Sequence, residues 1–194
     1  MDMSASRSVK HRATYEDLLK VPEPLVAEIL DGNLYASPRP AVPHALASSV
    51  LGGELGAAFH WGRGGPGGWW ILDEPELHFG DEVLVPDLAG WRRERMPKVP
   101  DEPAISLAPD WVCEVLSPST ERIDRVHKQP IYAREGVGHA WLVNPVSRTL
   151  EVYRRSSEGW LVVGTYEGDA LVAEPFDAIE LDLLNLWGET RAER

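Results

Sequence analysis

Cysteine is nearly absent: Cys113 stands alone among 194 residues, so no internal disulfide can form and the usage suits a reducing compartment. Cys113 lies in an apolar segment and reads as a small core residue, because a nucleophilic thiol needs an accessible, electropositive niche. Long hydrophobic runs are missing too. No stretch is apolar over a bilayer's span, which excludes a membrane helix, and Met1 to Ala13 are polar and basic with no apolar signal core. The expectation is a cytoplasmic protein with a flexible arm at 1–13, one domain over 14–188 and a frayed end at 189–194.

Basic charge is scarce. Against 31 Asp and Glu stand 19 Lys and Arg, a formal net charge of −12. Affinity for nucleic acid comes largely from cations that displace counterions along phosphates, so any such surface must be local. The candidate clusters are Arg7 to Arg12, Trp91 to Arg95 and Arg122 to Lys128, each of which could equally be a solvated face. Signals for other chemistries are also lacking. His44, His60, His78, His127 and His139 show no ligand spacing for zinc, and no Gly-x-Ser-x-Gly elbow or Cys-His pairing points to acyl transfer. The glycine-rich run Gly62 to Gly68 lacks the Lys-Ser/Thr ending of a phosphate-binding loop and reads as a connection.

What is present is a series of short elements. Thr14-Tyr15-Glu16-Asp17 resembles a capping box for a short helix, and Asp31-Gly32 between two apolar runs is a strong hairpin signal. The pattern from His44 to Phe59 is helical, although Gly52-Gly53 weakens it. Strands are predicted at Trp69 to Leu72, Glu76 to Phe79 and Glu82 to Leu88, with Pro86 placing the last at an edge or out of the ladder. Residues 92 to 109 form a long loop, and His139 to Asn144, Thr149 to Arg154 and Gly159 to Tyr166 extend a sheet before a closing amphipathic piece at Ile179 to Trp187.

The stretch from Asp110 to Tyr132 is the focus: an apolar strand carrying Glu114, a hydroxyl-rich turn, then a helix with Asp124, Lys128 and Tyr132 along one side. Glu114 shares a strand face with Val112 and Leu116, Glu28 shares one with Val26 and Leu30, and Asp87 shares one with Val83 and Val85. Glu28 is either a solvent-side acid or a buried ligand. Carboxylates on apolar stripes are costly unless paired or metal-bound, and hard oxygen donors suit Mg²⁺ or Mn²⁺. A lysine beside such a site could stabilise phosphorane charge or help deprotonate the attacking water, which describes a metal-dependent phosphodiesterase. Pro130 should kink the helix and aim Lys128 at the acids; otherwise Lys128 pairs with Asp124 on an exposed face. His44, after a proline at a helix start, reads as a capping or surface residue.

Pro86-Asp87, Glu114-Val115-Leu116-Ser117-Pro118-Ser119-Thr120, Asp124 with Lys128-Gln129-Pro130-Ile131-Tyr132-Ala133, Gly136-Val137 and Trp141-Leu142-Val143 together resemble the Uma-two family of the PD-(D/E)XK nuclease superfamily. The likeness covers about residues 14 to 187. It implies an α/β (α+β) fold: a restriction-endonuclease-like core, a mixed β-sheet flanked by α-helices, with an N-terminal hairpin and C-terminal antiparallel strands. It also implies metal ligation by Asp87 and Glu114, supplemented by Glu28. The superfamily's lysine usually stands two residues after the second acid; Leu116 occupies that position here, so its role passes to Lys128. His139, Ala140 and Asn144 depart from the family's usual Glu, Tyr and Asp, outside the expected ligands. The function implied is a Mg²⁺- or Mn²⁺-dependent DNA endonuclease, acting alone or as a homodimer. Its competitor is an inactive nuclease-like interaction module. A basic groove leading to the carboxylates would separate the two.

Overall fold

The computed structural model describes residues 11–168 and 170–189. The arm expected at 1–13, apart from residues 11–13, and the fraying expected at 189–194, apart from Glu189, lie outside the described residues.

Thr14 and Asp17 form the reciprocal capping box, Asp17 N donating to Thr14 Oγ1 and Thr14 N to Asp17 Oδ2, and open the short helix α1 (Tyr15–Leu18). The hairpin β1 (Leu25–Leu30) and β2 (Asn33–Pro38) turns through Asp31 and Gly32, both at positive φ (49° and 74°), as its Asp-Gly pair demands. Helix α2 (Val42–Leu55) buries Ala47, Leu51 and Leu55 and runs on into a π-helical turn, Gly56–His60. Gly52 lets the helix lie close to the sheet: a Cβ there would come within 3.2 Å of Leu88 Cδ2. The helix thus crosses the chain just after Asp87.

Strands β3 (Trp69–Asp73) and β4 (Leu77–Phe79) fall where alternation places them. The strand expected over Glu82 to Leu88 is two strands in different sheets, β5 (Glu82–Leu84) and β6 (Leu88–Arg92). Pro86, with no N–H to give a ladder, lies in the break, and Asp87 lies in the crossing segment. After β7 (Trp111–Val115) come three helical segments without a gap: α3 (Glu121–Ile123), a π-helical turn (Asp124–Lys128) and α4 (Gln129–Glu135), closed by Gly136 at φ 92°. Then follow β8 (His139–Asn144), β9 (Thr149–Ser156), β10 (Gly159–Tyr166), β11 (Ala170–Leu171), β12 (Leu181–Asp182) and α5 (Leu183–Leu186).

The larger sheet has six strands in the order β10-β9-β8-β7-β6-β3, and its parallel ladder, β7 with β8, requires the helical crossover at 121–135. A four-stranded antiparallel sheet, β2-β1-β5-β4, packs beside that helix. Period-2 alternation along β7 divides the core. Trp111, Cys113 and Val115 face α2, α5 and Phe176; Val112 faces Ile131, Tyr132 and the smaller sheet. Phe176 is 1% exposed, with ring centroids 4.6 Å from Phe59, 4.9 Å from Trp69 and Trp111, and 5.6 Å from Trp141. Phe176→Ala should therefore cost about 3–5 kcal/mol in urea unfolding. A loss below about 1 kcal/mol would mean that these rings close over the gap.

Candidate active site

Three strands or strand ends and one helix converge where the adjoining ends of β6 and β7, inside the larger sheet, meet β1 of the smaller one. Glu28 projects from β1, Asp87 precedes β6, Glu114 is the fourth residue of β7, and Asp124, Lys128 and Tyr132 come from the crossover helix. Between β7 and that helix, Ser117 Oγ lies 3.0 Å from Ser119 Oγ and 2.9 Å from Thr120 Oγ1, which shapes the hydroxyl-rich turn.

Pro130 acts differently from a simple kink. Its ring would clash with the Val126 carbonyl in a regular α-helix, and the turn just before it is widened to π geometry, with Gln129 N–H donating to Asp124 O five residues back. Pro130 then falls in the first turn of α4, where a missing N–H is harmless. Asp124, Lys128 and Tyr132 all become buried. The reading in which Lys128 pairs with Asp124 on an exposed face is therefore overturned.

Lys128 Nζ is the hub. It lies 3.0 Å from Glu28 Oε1, 3.2 Å from Glu114 Oε2 and 3.4 Å from Asp124 Oδ1, and donates to Val85 O at 3.3 Å. Glu28 Oε1 also accepts from Val85 N at 2.8 Å, and Tyr132 Oη donates to Glu114 Oε1 at 2.5 Å. Asp87 is held separately. Its Oδ2 accepts from Val115 N at 2.6 Å and its Oδ1 lies 3.2 Å from His44 Nε2.

Burial first, then the neighbouring acids, push Glu114 well above the usual carboxylate range against the pull of Lys128. Burial likewise raises Glu28 and Asp124. For Lys128 burial favours the neutral amine, but Glu114, Glu28 and Asp124 together override it and hold the ammonium well above its ordinary value. The same contest at His44, burial against Asp87, ends with a raised pKa.

All four expected residues, Glu28, Asp87, Glu114 and Lys128, line one cavity of about 350 Å³. Asp124 and His44 line it as well. Asp124 stands beside Lys128 on the helix side that their i, i+4 spacing predicts, while His44, a single residue near a helix start, carries no periodic signal. The basic clusters do not form a groove to these acids. Arg92 and Arg93 stack on Trp69 and Trp70 at 4.6 and 4.1 Å, at the end of β6 away from Asp87, and Arg95 pairs with Asp110 at 2.8 Å. Arg125 is bound to Glu121 and Glu151, so Arg39 and Lys128 are the Lys and Arg residues of the cavity lining. The cluster at Arg7 to Arg12, apart from His11 and Arg12, lies outside the described residues.

The donor chemistry fits a hard divalent cation. Five carboxylates, those of Glu28, Glu74, Asp87, Glu114 and Asp124, line the cavity with one lysine ammonium, and burial first raises the pKa values of Glu28, Glu114 and Asp124. Among the described residues no three of His, Cys, Asp and Glu already form an ion-sized cage.

The family model described as "Putative restriction endonuclease", Uma2, matches residues 12–184. The chain belongs to the Uma2 family. A solved structure described as a putative nuclease belonging to DUF820, from Anabaena variabilis ATCC 29413, is similar over 91% of this chain and 98% of that one, with 25% identity and a TM-score of 0.73. A comparison with curated proteins finds no match. The mixed α+β, restriction-endonuclease-like fold expected from the motifs is the one observed, and Uma2 membership supports a nuclease function. No described helix is long and apolar enough to cross a membrane.

Proposed function

We propose that this Uma2 protein is a Mg²⁺- or Mn²⁺-dependent endonuclease that hydrolyses DNA phosphodiesters, with Asp87, Glu114, Glu28 and Lys128 as its working residues. The observation that carries this reading is the convergence of carboxylates from separate elements on one buried ammonium at a cavity floor. Asp87 and Glu114 would hold the cation, with Glu28 as a supplementary ligand. When bound, the cation supplies Lewis acidity at the phosphoryl oxygen and lowers the pKa of its water.

The protein's own groups divide the remaining work. Val115 N–H and His44 orient Asp87, and Tyr132 orients Glu114. Its three acidic neighbours favour the ammonium form of Lys128, whose place in the reaction is to stabilise charge developing on the phosphorane. The contacts of Glu28 with Val85 and Lys128 both fall on Oε1, which leaves Oε2 for the cation or its water.

Two observations favour the inactive-module reading: Lys128 already engages three of the carboxylates, and among the described residues no basic groove leads to them. Incubation of mixed-sequence DNA with Mn²⁺ separates the two readings. The nuclease reading expects fragmentation by wild type, none in EDTA and none by folded Asp87→Ala. Equal fragmentation by Asp87→Ala, or none by wild type that has bound Mn²⁺, contradicts it.

Protons should compete with the cation. Raised carboxyl pKa values mean that the stability these groups lend the metal-free fold is full below their unfolded pKa and is lost as pH rises through the folded one. Mn²⁺ should therefore raise the melting temperature more at about pH 7.5 than at about pH 5.5, and its affinity should fall on acidification before ordinary carboxylates protonate near pH 4. Scanning calorimetry across this range checks both. A pH-independent gain would contradict the assignment.

A further inference from the structure

We propose that the site accepts an unpaired nucleotide of a DNA strand, drawn into the cavity, and not a phosphodiester on the surface of an intact duplex. This rests on the nuclease reading and names its substrate class.

The depth of the floor is the first reason. Glu28, Glu114, Asp124 and Lys128 are 5%, 2%, 3% and 5% exposed, and the side chains of His44 and Asp87 only 11% and 16%. An unpaired nucleotide can enter a cavity of this depth together with its phosphate, which a duplex, with its phosphates fixed along a wide rim, does less readily. The walls are the second reason. Val26, Pro38, Pro40, Val85, Pro118 and Ile123 give the cavity an apolar lining, and about 350 Å³ is the scale of a small-ligand pocket. Such walls can shelter a base or sugar. They do not track a phosphate backbone, which duplex binders do with many cations at once.

The arginine of the lining is the third. Arg39 lines the cavity together with the Ser117–Thr120 turn, is exposed and makes no ion pair among the described residues, so its guanidinium is free for the phosphate of an entering strand.

The test uses the full chain and two fluorescent probes, a random-sequence single-stranded 30-mer pool and the same pool annealed as duplex. Binding is read by anisotropy in Ca²⁺, another oxygen-seeking cation, and cleavage in Mn²⁺. The expected result is at least about tenfold tighter binding and faster cleavage of the single-stranded pool. Equal or tighter binding of duplex by wild type overturns the inference and leaves the nuclease reading standing. Failure to bind or cut either pool, by protein shown to bind Mn²⁺, overturns the inference together with the DNA substrate.

Discussion

Lys128→Met should destabilise the metal-free protein by about 3–5 kcal/mol at neutral pH, the usual consequence of removing one partner from a buried ion pair. Lys128 is 5% exposed and its ammonium touches Glu28, Glu114 and Asp124, so its loss strands three buried carboxylates without a cation. Those acids can escape by taking up protons, which makes the loss pH-dependent. It should shrink as pH falls and shrink again when Mn²⁺ is added, since either restores positive charge or removes negative charge. Adding Glu114→Gln to Lys128→Met should also recover part of the stability, because one stranded charge is gone. Chemical denaturation of the single and double variants, with and without Mn²⁺, measures all of this. A loss below about 1 kcal/mol for Lys128→Met would show that the ammonium is not the hub of the cluster.

Glu114→Gln alone should act in the opposite direction on stability while removing activity. The ionised Glu114 carboxylate is disfavoured by burial and by Asp124, Asp87 and Glu28, despite Lys128. A neutral amide of the same shape relieves that repulsion, and Lys128 keeps Glu28 and Asp124 as partners. The variant should therefore melt at or above the wild-type temperature without metal. It should lose Mn²⁺ binding, and cleavage should fall by roughly 10²- to 10³-fold, the scale on which a preorganised charge contributes to a transition state. Such a trade marks a residue kept for chemistry at the expense of the fold. A destabilised Glu114→Gln with intact Mn²⁺ affinity would instead make Glu114 a structural partner of Lys128 and Tyr132.

The parts of this site that could be read beforehand are those where a residue breaks a pattern. Glu114 interrupts an apolar strand, and period-2 alternation puts it on the face of Val112, which the packing bears out. Glu28 offered two readings, solvent-side or buried, and the tertiary contact that decides between them is with Lys128, a hundred residues later in the chain. Asp87 was placed near its true position but on the wrong kind of element. Pro86 carried the signal, yet alternation alone cannot say that the strands on its two sides join different sheets. The π-helical turn before Pro130 was read as a kink, because a proline announces a disturbed helix without saying whether the chain bends or widens. His44 reads in sequence as a capping or surface residue, and the structure instead puts it against Asp87 with its side chain 11% exposed. Its contact with Asp87 depends on how closely α2 approaches β6, and Gly52, which permits that approach, reads in sequence only as a weak helix former. The expected basic groove is absent for a related reason: arginines near one another in sequence point along different strands and are consumed by Trp69, Trp70, Asp110 and Glu151.

The central claim is that these carboxylates form a divalent-cation site, and titration of the purified protein with Mn²⁺ by calorimetry, beside folded Asp87→Ala and Glu114→Ala, tests it most directly. The account predicts saturable binding by wild type that both substitutions remove. Binding that survives in both variants would place the cation elsewhere, and no binding by wild type would leave Lys128 as the only counter-charge of a nuclease-like fold without metal chemistry.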